Sequence, residues 1–448
     1  MANYRQYFKG KKITVMGLGL LGRGIGVVKF LAENGADLLV TDLKTKKELA
    51  PAVRELSNLK NIKFVFGKHR LADFADRDLV IRAANVPPDS PYLAEARKNN
   101  IPIKMDASLF VSLAPKITTV GITGTRGKST VTHLLHQIID RYLKGRPKDR
   151  RRLHLGGNVR GVATLPLLKK VKAGDIVVME LDSWQLQGFG EEEISPTVAV
   201  FTNLMPDHLN YYRGDMKRYF ADKKNIYRFQ TAKDYLIVGK SVSPLIRKSG
   251  RGRGQFCEAP AVSWPTKLLG RHNQDNISLA VAAARTLKIP DRVIKQAVAD
   301  FSGVPGRLEL VGEAKEIKYY NDTTATVPEA TLAALAALAD YAGRIILIGG
   351  GSDKLLDYRH YGQEVPTKVK KLILFPGSAT DKIKKVLPAK FRRQTLSADN
   401  MTMAVKLARA EATAGDVILL SPAAASFGLF TNEFDRGEQF NKLIKKTT

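Results

Sequence analysis

The stretch Val120-Gly121-Ile122-Thr123-Gly124-Thr125-Arg126-Gly127-Lys128-Ser129-Thr130 constrains this chain more than any other. A β-branched run feeds a glycine-rich turn, and the turn ends in Lys-Ser-Thr at the head of an amphipathic helix marked by Val131, Leu134, Leu135, Ile138 and Ile139. Strand, glycine turn and helix in that order make a phosphate cradle. Glycines free backbone N–H groups to point at phosphate oxygens, the helix N-terminus adds partial positive charge, and Lys128 adds a full one. Ser129 or Thr130 can then offer a hydroxyl to a nucleotide's Mg²⁺. The spacing is tight, since only Thr125 and Arg126 separate Gly124 from Gly127-Lys128-Ser129. A bare Gly-Lys-Ser in a surface turn would mean little; strand before and helix after make nucleotide binding the expectation.

Short β-rich runs alternate with helical patterns along the whole chain, the signature of parallel sheets and α/β architecture. Strands are expected at 12–16, 37–40, 62–66, 79–82 and 101–105, then at the cradle, 175–180, 197–203 and 235–238, and finally at 317–320, 344–348, 371–375 and 417–420. A helix is expected over 274–287, and a boundary around Ser302-Gly303-Val304-Pro305-Gly306. At 448 residues the chain exceeds a single core, and three domains are expected, 1–112, 113–302 and 303–448.

Lys and Arg number 72 against 43 Asp and Glu, a net charge of +29 that invites a nucleic-acid reading. The basic residues are spread rather than striped, and the densest run, 144–152, reads as a solvated loop; specific nucleic-acid binding is not expected. No apolar run approaches the roughly 18 residues of a membrane span, and the charged N-terminus is followed by no hydrophobic segment. Cys257 is the single cysteine, which excludes an internal disulfide and a zinc cluster. A cytoplasmic protein, without membrane insertion, is expected.

Gly17-x-Gly19-x-x-Gly22 followed by Asp42 fits a dinucleotide fingerprint, with NAD or a nucleotide-diphosphate substrate as candidate ligands. Glu180 closes an apolar strand, and Asn203-Leu204-Met205-Pro206-Asp207-His208 follows another. In a parallel sheet both tips face the crevice that holds the cradle. A carboxylate and an imidazole beside a phosphate loop point to a metal–nucleotide site.

Gly124-Thr125-x-Gly127-Lys128-Ser129-Thr130, Gly157-Asn158, Glu180, Asp207-His208, Gly270-x-His272-Asn273 and Pro305-Gly306-Arg307 together resemble the Mur ligases, ATP-dependent enzymes that extend the peptidoglycan stem peptide. The resemblance runs in order over essentially the whole chain. Gly349-Gly350-Gly351-Ser352-Asp353-Lys354 and Leu419-Leu420-Ser421-Pro422-Ala423-Ala424-Ala425-Ser426-Phe427, running on to Arg436-Gly437-x-x-Phe440, resemble the branch that adds D-glutamate. A folylpolyglutamate synthase-like or pseudomurein-type ligase, an NAD-dependent dehydrogenase and a non-catalytic nucleotide binder are the competing readings, and each leaves part of this set unexplained.

The resemblance implies a Rossmann-like N-terminal domain for the uridine nucleotide, a central P-loop ATPase-like parallel-sheet domain and a C-terminal Rossmann-like domain for the amino acid. It implies that ATP phosphorylates the carboxylate of UDP-N-acetylmuramoyl-L-alanine and that the D-glutamate amine displaces the phosphate, with closure of the third domain. Gly17, Leu18, Gly19 and Asp42 would hold the uridine nucleotide. Gly124, Thr125, Arg126, Gly127, Lys128, Ser129, Thr130, Asn158, Asn273, Arg307 and Asp322 would hold ATP. Thr326, Lys354, Ser426 and Phe427 would shape the D-glutamate pocket. Two Mg²⁺ are implied at Ser129, Glu180, His208 and a carbamylated lysine, placed at Lys223 with Lys224 as its rival; Lys128, Glu180, His208 and Lys223 form the catalytic set. A monomer is expected.

Four positions depart from the family pattern. Thr324 stands where a lysine is usual, Arg271 replaces an acidic residue, Arg82-Ala83-Ala84-Asn85-Val86-Pro87 lacks the usual Ser-Pro-Gly of the uridine-nucleotide loop, and Gly428 replaces an aspartate.

Overall fold

The computed structural model describes residues 4–19, 22–208 and 211–446, so Leu20 and Leu21 of the first glycine turn lie outside the described residues. Three sheets carry the chain. The first contains β1 (Lys12–Met16), β2 (Asp37–Asp42), β3 (Ile62–Phe66), β4 (Leu79–Arg82) and β5 (Ile103–Lys104), in the order β3-β2-β1-β4-β5 and all parallel. The second contains β6 (Thr118–Thr123), β7 (Leu153–Gly157), β8 (Ile176–Glu180), β9 (Val198–Phe201), β10 (Tyr235–Val238) and β11 (Gln255–Glu258), in the order β11-β10-β9-β6-β8-β7 and again all parallel. The third contains β12 (Glu309–Ala314), β13 (Ile317–Asn321), β14 (Ile345–Gly350), β15 (Val369–Phe375), β16 (Leu396–Ser397) and β17 (Val417–Leu420), in the order β12-β13-β17-β14-β15-β16. Only β12 runs antiparallel, against β13. The α/β architecture read from the sequence is the architecture observed.

The central strands are buried along their full length, as Ile176-Val177-Val178-Met179-Glu180 and Ile345-Ile346-Leu347-Ile348-Gly349-Gly350 are. Helices cover both faces of such sheets, so these strands read as continuous apolar runs and are legible in the sequence. The strands not anticipated, β7, β11, β12 and β16, lie at sheet edges and are shorter on apolar residues. The strand expected at 101–105 shrinks to Ile103–Lys104 because the helix Asp106–Leu113 begins directly after it.

The chain packs as two compact units, 1–264 with 275–298, and 265–274 with 299–448. In the first unit, side chains cross between its two sheets. Asp106 accepts from the backbone N–H groups of Thr164 and Leu165 at 3.1 and 2.6 Å, and Lys104 pairs with Glu192 at 2.7 Å. Gly26 lies where a Cβ would come within 2.7 Å of the Ala163 methyl. The second unit takes in 265–274 ahead of the expected boundary near 302. Among the described residues no helix is long and apolar enough to cross a membrane.

Candidate active site

The cradle forms at the carboxyl end of β6. Gly124 has φ 138° and Gly127 φ 83°, and a Cβ would lie 1.9 Å from Thr202 Oγ1 at the first and 2.1 Å from Asn276 Oδ1 at the second. Only glycine fits either place. The segment after β9 fixes the turn: Thr125 N–H donates to the Asn203 carbonyl at 3.0 Å and Arg126 N–H to Asn203 Oδ1 at 2.9 Å. Thr202 Oγ1 donates to the Arg126 carbonyl at 2.6 Å. The helix Lys128–Lys144 starts at the end of this turn, with Thr130 in its first turn. Lys128 Nζ folds back on the loop, donating to the carbonyls of Gly124 and Thr125 at 3.1 and 3.0 Å.

Glu180 ends β8 beside the cradle, its Cα in register with Ile122 of β6 and Gly157 of β7. Ser129 Oγ donates to Glu180 Oε2 at 2.6 Å, and both residues are buried. Asn158 is placed by its N–H, which donates to the Glu180 carbonyl at 2.6 Å.

His208 follows β9 in a left-handed conformation, φ 52°, and packs on Trp184 with ring centroids 4.6 Å apart. Burial lowers its pKa below the ordinary value, favouring the neutral imidazole that a metal requires. Asp207 is held by Arg126 at 3.5 Å.

Lys223 lies on the helix Met216–Arg228, which Asp215 caps by accepting from Lys217 and Arg218 N–H groups. It is 1% exposed, and its Nζ donates to the Gly124 carbonyl at 2.8 Å and to Thr123 Oγ1 at 3.4 Å. Burial, followed by the Lys128 charge, holds the amine well below the usual lysine pKa. Lys224 points away, donating to the Ser249 carbonyl at 2.5 Å. The structure thus brings Lys223 to the cradle and leaves Lys224 outside it.

Among the described residues no three His, Cys, Asp or Glu side chains come together as a metal cage. Mg²⁺ keeps several waters and phosphate oxygens and needs only one or two protein oxygens, which a hydroxyl beside a carboxylate could supply. Ser129 and Glu180 are such a pair.

The first sheet gathers Gly17, Leu18, Gly19 and Asp42 at the ends of β1 and β2. The N–H groups of Leu18 and Gly19 are taken by Asp42 Oδ2 at 2.9 and 3.1 Å, so the turn already holds an anion of the protein's own. Loop 83–87 abuts this turn: a Cβ on Gly17 would lie 2.9 Å from Ala83 Cβ.

In the second unit, loops after β13, β14 and β17 meet. Lys354 Nζ donates to Thr326 Oγ1 at 3.0 Å. Ser352 and Ala425 exchange backbone hydrogen bonds at 2.9 and 3.0 Å, and Ser352 Oγ donates to the Phe427 carbonyl at 2.7 Å. Ser426 is buried, whereas Phe427 is 66% exposed. Asp322 is enclosed, accepting from Ser421 Oγ at 2.8 Å and Leu308 N–H at 3.1 Å, and burial pushes its pKa up to about 7. Arg307 is exposed, and Asn273 is buried with Nδ2 donating to the Leu269 carbonyl at 2.7 Å.

Two departures acquire physical reasons. Thr324 Oγ1 donates to the Gly306 carbonyl at 3.0 Å, so the short hydroxyl at this position ties two loops together. Gly428 has φ 96°, a conformation that disfavours the usual aspartate.

Residue-by-residue reading missed Arg436, which is wholly buried. Its Nε donates to Thr323 Oγ1 at 3.1 Å, Nη1 to the Ala424 carbonyl at 3.2 Å and Nη2 to the Thr323 carbonyl at 2.8 Å, clamping two of the three loops. Gly437 lets the helix approach, since a Cβ there would lie 2.6 Å from Thr323 Cγ2. The motif Arg436-Gly437 was the available signal.

Two parallel sheets and a third with one antiparallel edge strand, a tight phosphate cradle backed by Ser129 and Glu180, and three loops meeting around Lys354 are the features of an ATP-dependent ligase of the Mur type. Three family domains match the chain: Mur ligase MurD-like N-terminal domain over 11–104, Mur ligase middle domain over 122–250, and Mur ligase, glutamate ligase domain over 306–424. The chain belongs to the Mur ligase family. A protein of Roseiflexus sp. named UDP-N-acetylmuramoylalanine--D-glutamate ligase is 36% identical, with 98% of this chain and 99% of the relative covered. One of the same name from Borreliella burgdorferi is 34% identical, with 97% and 98% covered. The fold is also that of the UDP-N-acetylmuramate-alanine ligase MurC of Thermotoga maritima, with TM-score 0.62, 18% identity, and 98% of this chain and 100% of that chain covered.

Proposed function

We propose that this protein joins D-glutamate to UDP-N-acetylmuramoyl-L-alanine at the expense of ATP, through an acyl phosphate. The observation that carries the reading is the convergence of Lys128, the Ser129–Glu180 pair and buried Lys223 on one glycine turn. The names of the relatives and the MurD-like and glutamate-ligase domain matches support the choice of substrates. The division into 1–112, 113–302 and 303–448 assigns acceptor, ATP and amino acid in that order.

The turn N–H groups and Lys128 grip the transferring phosphoryl group, so the chain contributes mainly position and charge. Lys128 exchanges its bonds to the Gly124 and Thr125 carbonyls for phosphate oxygens. Gly124, Thr125, Arg126, Gly127, Ser129 and Thr130 line the phosphates, with Asn158 beside them. Gly17, Leu18, Gly19 and Asp42 face the acceptor's uridine nucleotide, and since Asp42 fills the turn, base or ribose donors suit it better than the diphosphate.

Ser129, Glu180, His208 and Lys223 would hold two Mg²⁺. These ions would neutralise charge on the transferring phosphate. Lys223 fits a carbamate because burial lowers its pKa and so favours the unprotonated, nucleophilic amine. The amine and CO₂ give a carbamate and release one proton, which turns a cation into an oxygen ligand. Lys354, whose ammonium matches a substrate carboxylate, acts with Thr326, Ser426 and Phe427 on the amino acid, whose amine displaces phosphate from the acyl carbon.

The acyl phosphate can be intercepted. With ATP and acceptor but no D-glutamate, hydroxylamine should yield the acceptor hydroxamate, and Lys128→Ala should abolish it. Equal hydroxamate from the variant would remove Lys128 from phosphoryl transfer.

A further inference from the structure

Arg82 ends β4 with its guanidinium fully enclosed, side-chain exposure 0%. A buried cation persists only where hydrogen bonds replace its water. Here Nη1 donates to the Val86 carbonyl at 3.1 Å and Nη2 to Gln187 Oε1 at 3.1 Å and Glu191 Oε1 at 3.2 Å, while the buried Nε has no partner, so the two terminal nitrogens carry the whole tether. Val86 belongs to loop 83–87, whose Ala83 sits against Gly17. Gln187 and Glu191 lie on the helix Ser183–Glu191, behind the second sheet's Glu180. Gln187 Nε2 continues to Asp222 Oδ2 at 2.8 Å, which also accepts from Tyr212 OH at 2.9 Å. Asp222 precedes Lys223. One series of hydrogen bonds therefore runs from the loop of the first sheet to the helix that carries the buried lysine.

The loop it holds is the one that has lost Ser-Pro-Gly. A loop without that proline has one more free backbone torsion to fix on folding or binding. A tether on the Val86 carbonyl restores that restriction from below. A second tie joins the same region to the His208 segment, Arg213 to Asp89 at 3.1 Å, but both side chains are exposed, 76% and 66%, and such pairs contribute little.

We propose that Arg82 is a positioning residue for the acceptor: it fixes loop 83–87 against the Gly17–Gly19 turn and registers both on the helix Ser183–Glu191. The proposal rests on the reading of the first sheet as the acceptor's site. It assigns Arg82 no contact with substrate.

Steady-state KM values for UDP-N-acetylmuramoyl-L-alanine, ATP and D-glutamate, with melting temperatures, test it on Arg82→Met, Arg82→Lys and Arg213→Ala. Arg82→Met should raise the acceptor KM by about tenfold or more, the scale of truncating a buried hydrogen-bonded charge. The KM values for ATP and D-glutamate should stay near wild type. Arg82→Lys should recover part of the loss, and Arg213→Ala should change none of the three. An unchanged acceptor KM in Arg82→Met, or an equal rise in all three with a lowered melting temperature, overturns the proposal. If Arg82→Met does not fold, Arg82→Lys decides alone: a selective rise in acceptor KM supports the role and none overturns it. Direct titration of wild type with acceptor separates the parent reading, since absence of binding there overturns the acceptor site itself, whereas intact binding with an unselective Arg82→Met overturns only the positioning role.

Discussion

Lys128 and Lys223 donate to the same carbonyl oxygen, that of Gly124, at 3.1 and 2.8 Å. Two ammonium groups cannot share one acceptor in a dry site without mutual repulsion, and it is the more enclosed amine that yields. Lys223, 1% exposed, has its pKa driven well down, first by burial and then by the Lys128 charge.

Keeping a deprotonated lysine inside costs stability. The unfolded chain binds a proton there up to the ordinary value of 10.5 and the folded chain only up to a lower one, so between the two values stability rises with pH. Lys223→Met in CO₂-free buffer should therefore be more stable than wild type at pH 7. Its advantage should shrink by up to about 1.4 kcal/mol per pH unit toward pH 10, while ligase activity is lost. Urea unfolding at several pH values checks this. A stability difference that does not change as the pH rises would contradict a lowered lysine pKa.

How much of this was legible in the sequence depended on what each signal required. The cradle was readable because Gly124 and Gly127 have no substitute at their torsions and neighbours, and the interior strands because both faces are buried. Edge strands such as β11 and β12 carry no such constraint and were not seen. Lys223 against Lys224 could not be decided from adjacent identical residues; helix phase decides it. Arg436 stood in a motif without a role of its own and Arg82 in a loop segment without one, since the sequence does not report the carbonyls that receive them 4 to 113 residues away. Asp42 filling the first glycine turn was likewise a tertiary fact.

Asp322 gives a pH signature of opposite sign in the second unit. Its pKa is raised to about 7 from 3.8, so the stability it lends is full below about pH 4 and is lost as pH rises through 7. Asp322→Asn cannot ionise. In chemical unfolding the variant should gain on wild type steadily between pH 4 and 7, reaching on the order of a few kcal/mol at pH 8. A difference constant across that range would contradict a protonated buried carboxyl.

Arg436 should matter to the amino acid rather than to the acceptor. Arg436→Met strands the carbonyls of Thr323 and Ala424, loosening the loops that carry Thr326 and Ser426. The KM for D-glutamate should rise by about tenfold or more, with the acceptor KM unchanged. Steady-state kinetics with each substrate varied in turn read the split.

The most direct test of the whole account is phosphate release from ATP in the presence of UDP-N-acetylmuramoyl-L-alanine and one amino acid at a time. Release should require the acceptor and D-glutamate together, and mass analysis should find the acceptor enlarged by one glutamyl residue. Sustained turnover with L-alanine, a diamino acid or L-glutamate in place of D-glutamate, or none with D-glutamate, would contradict it.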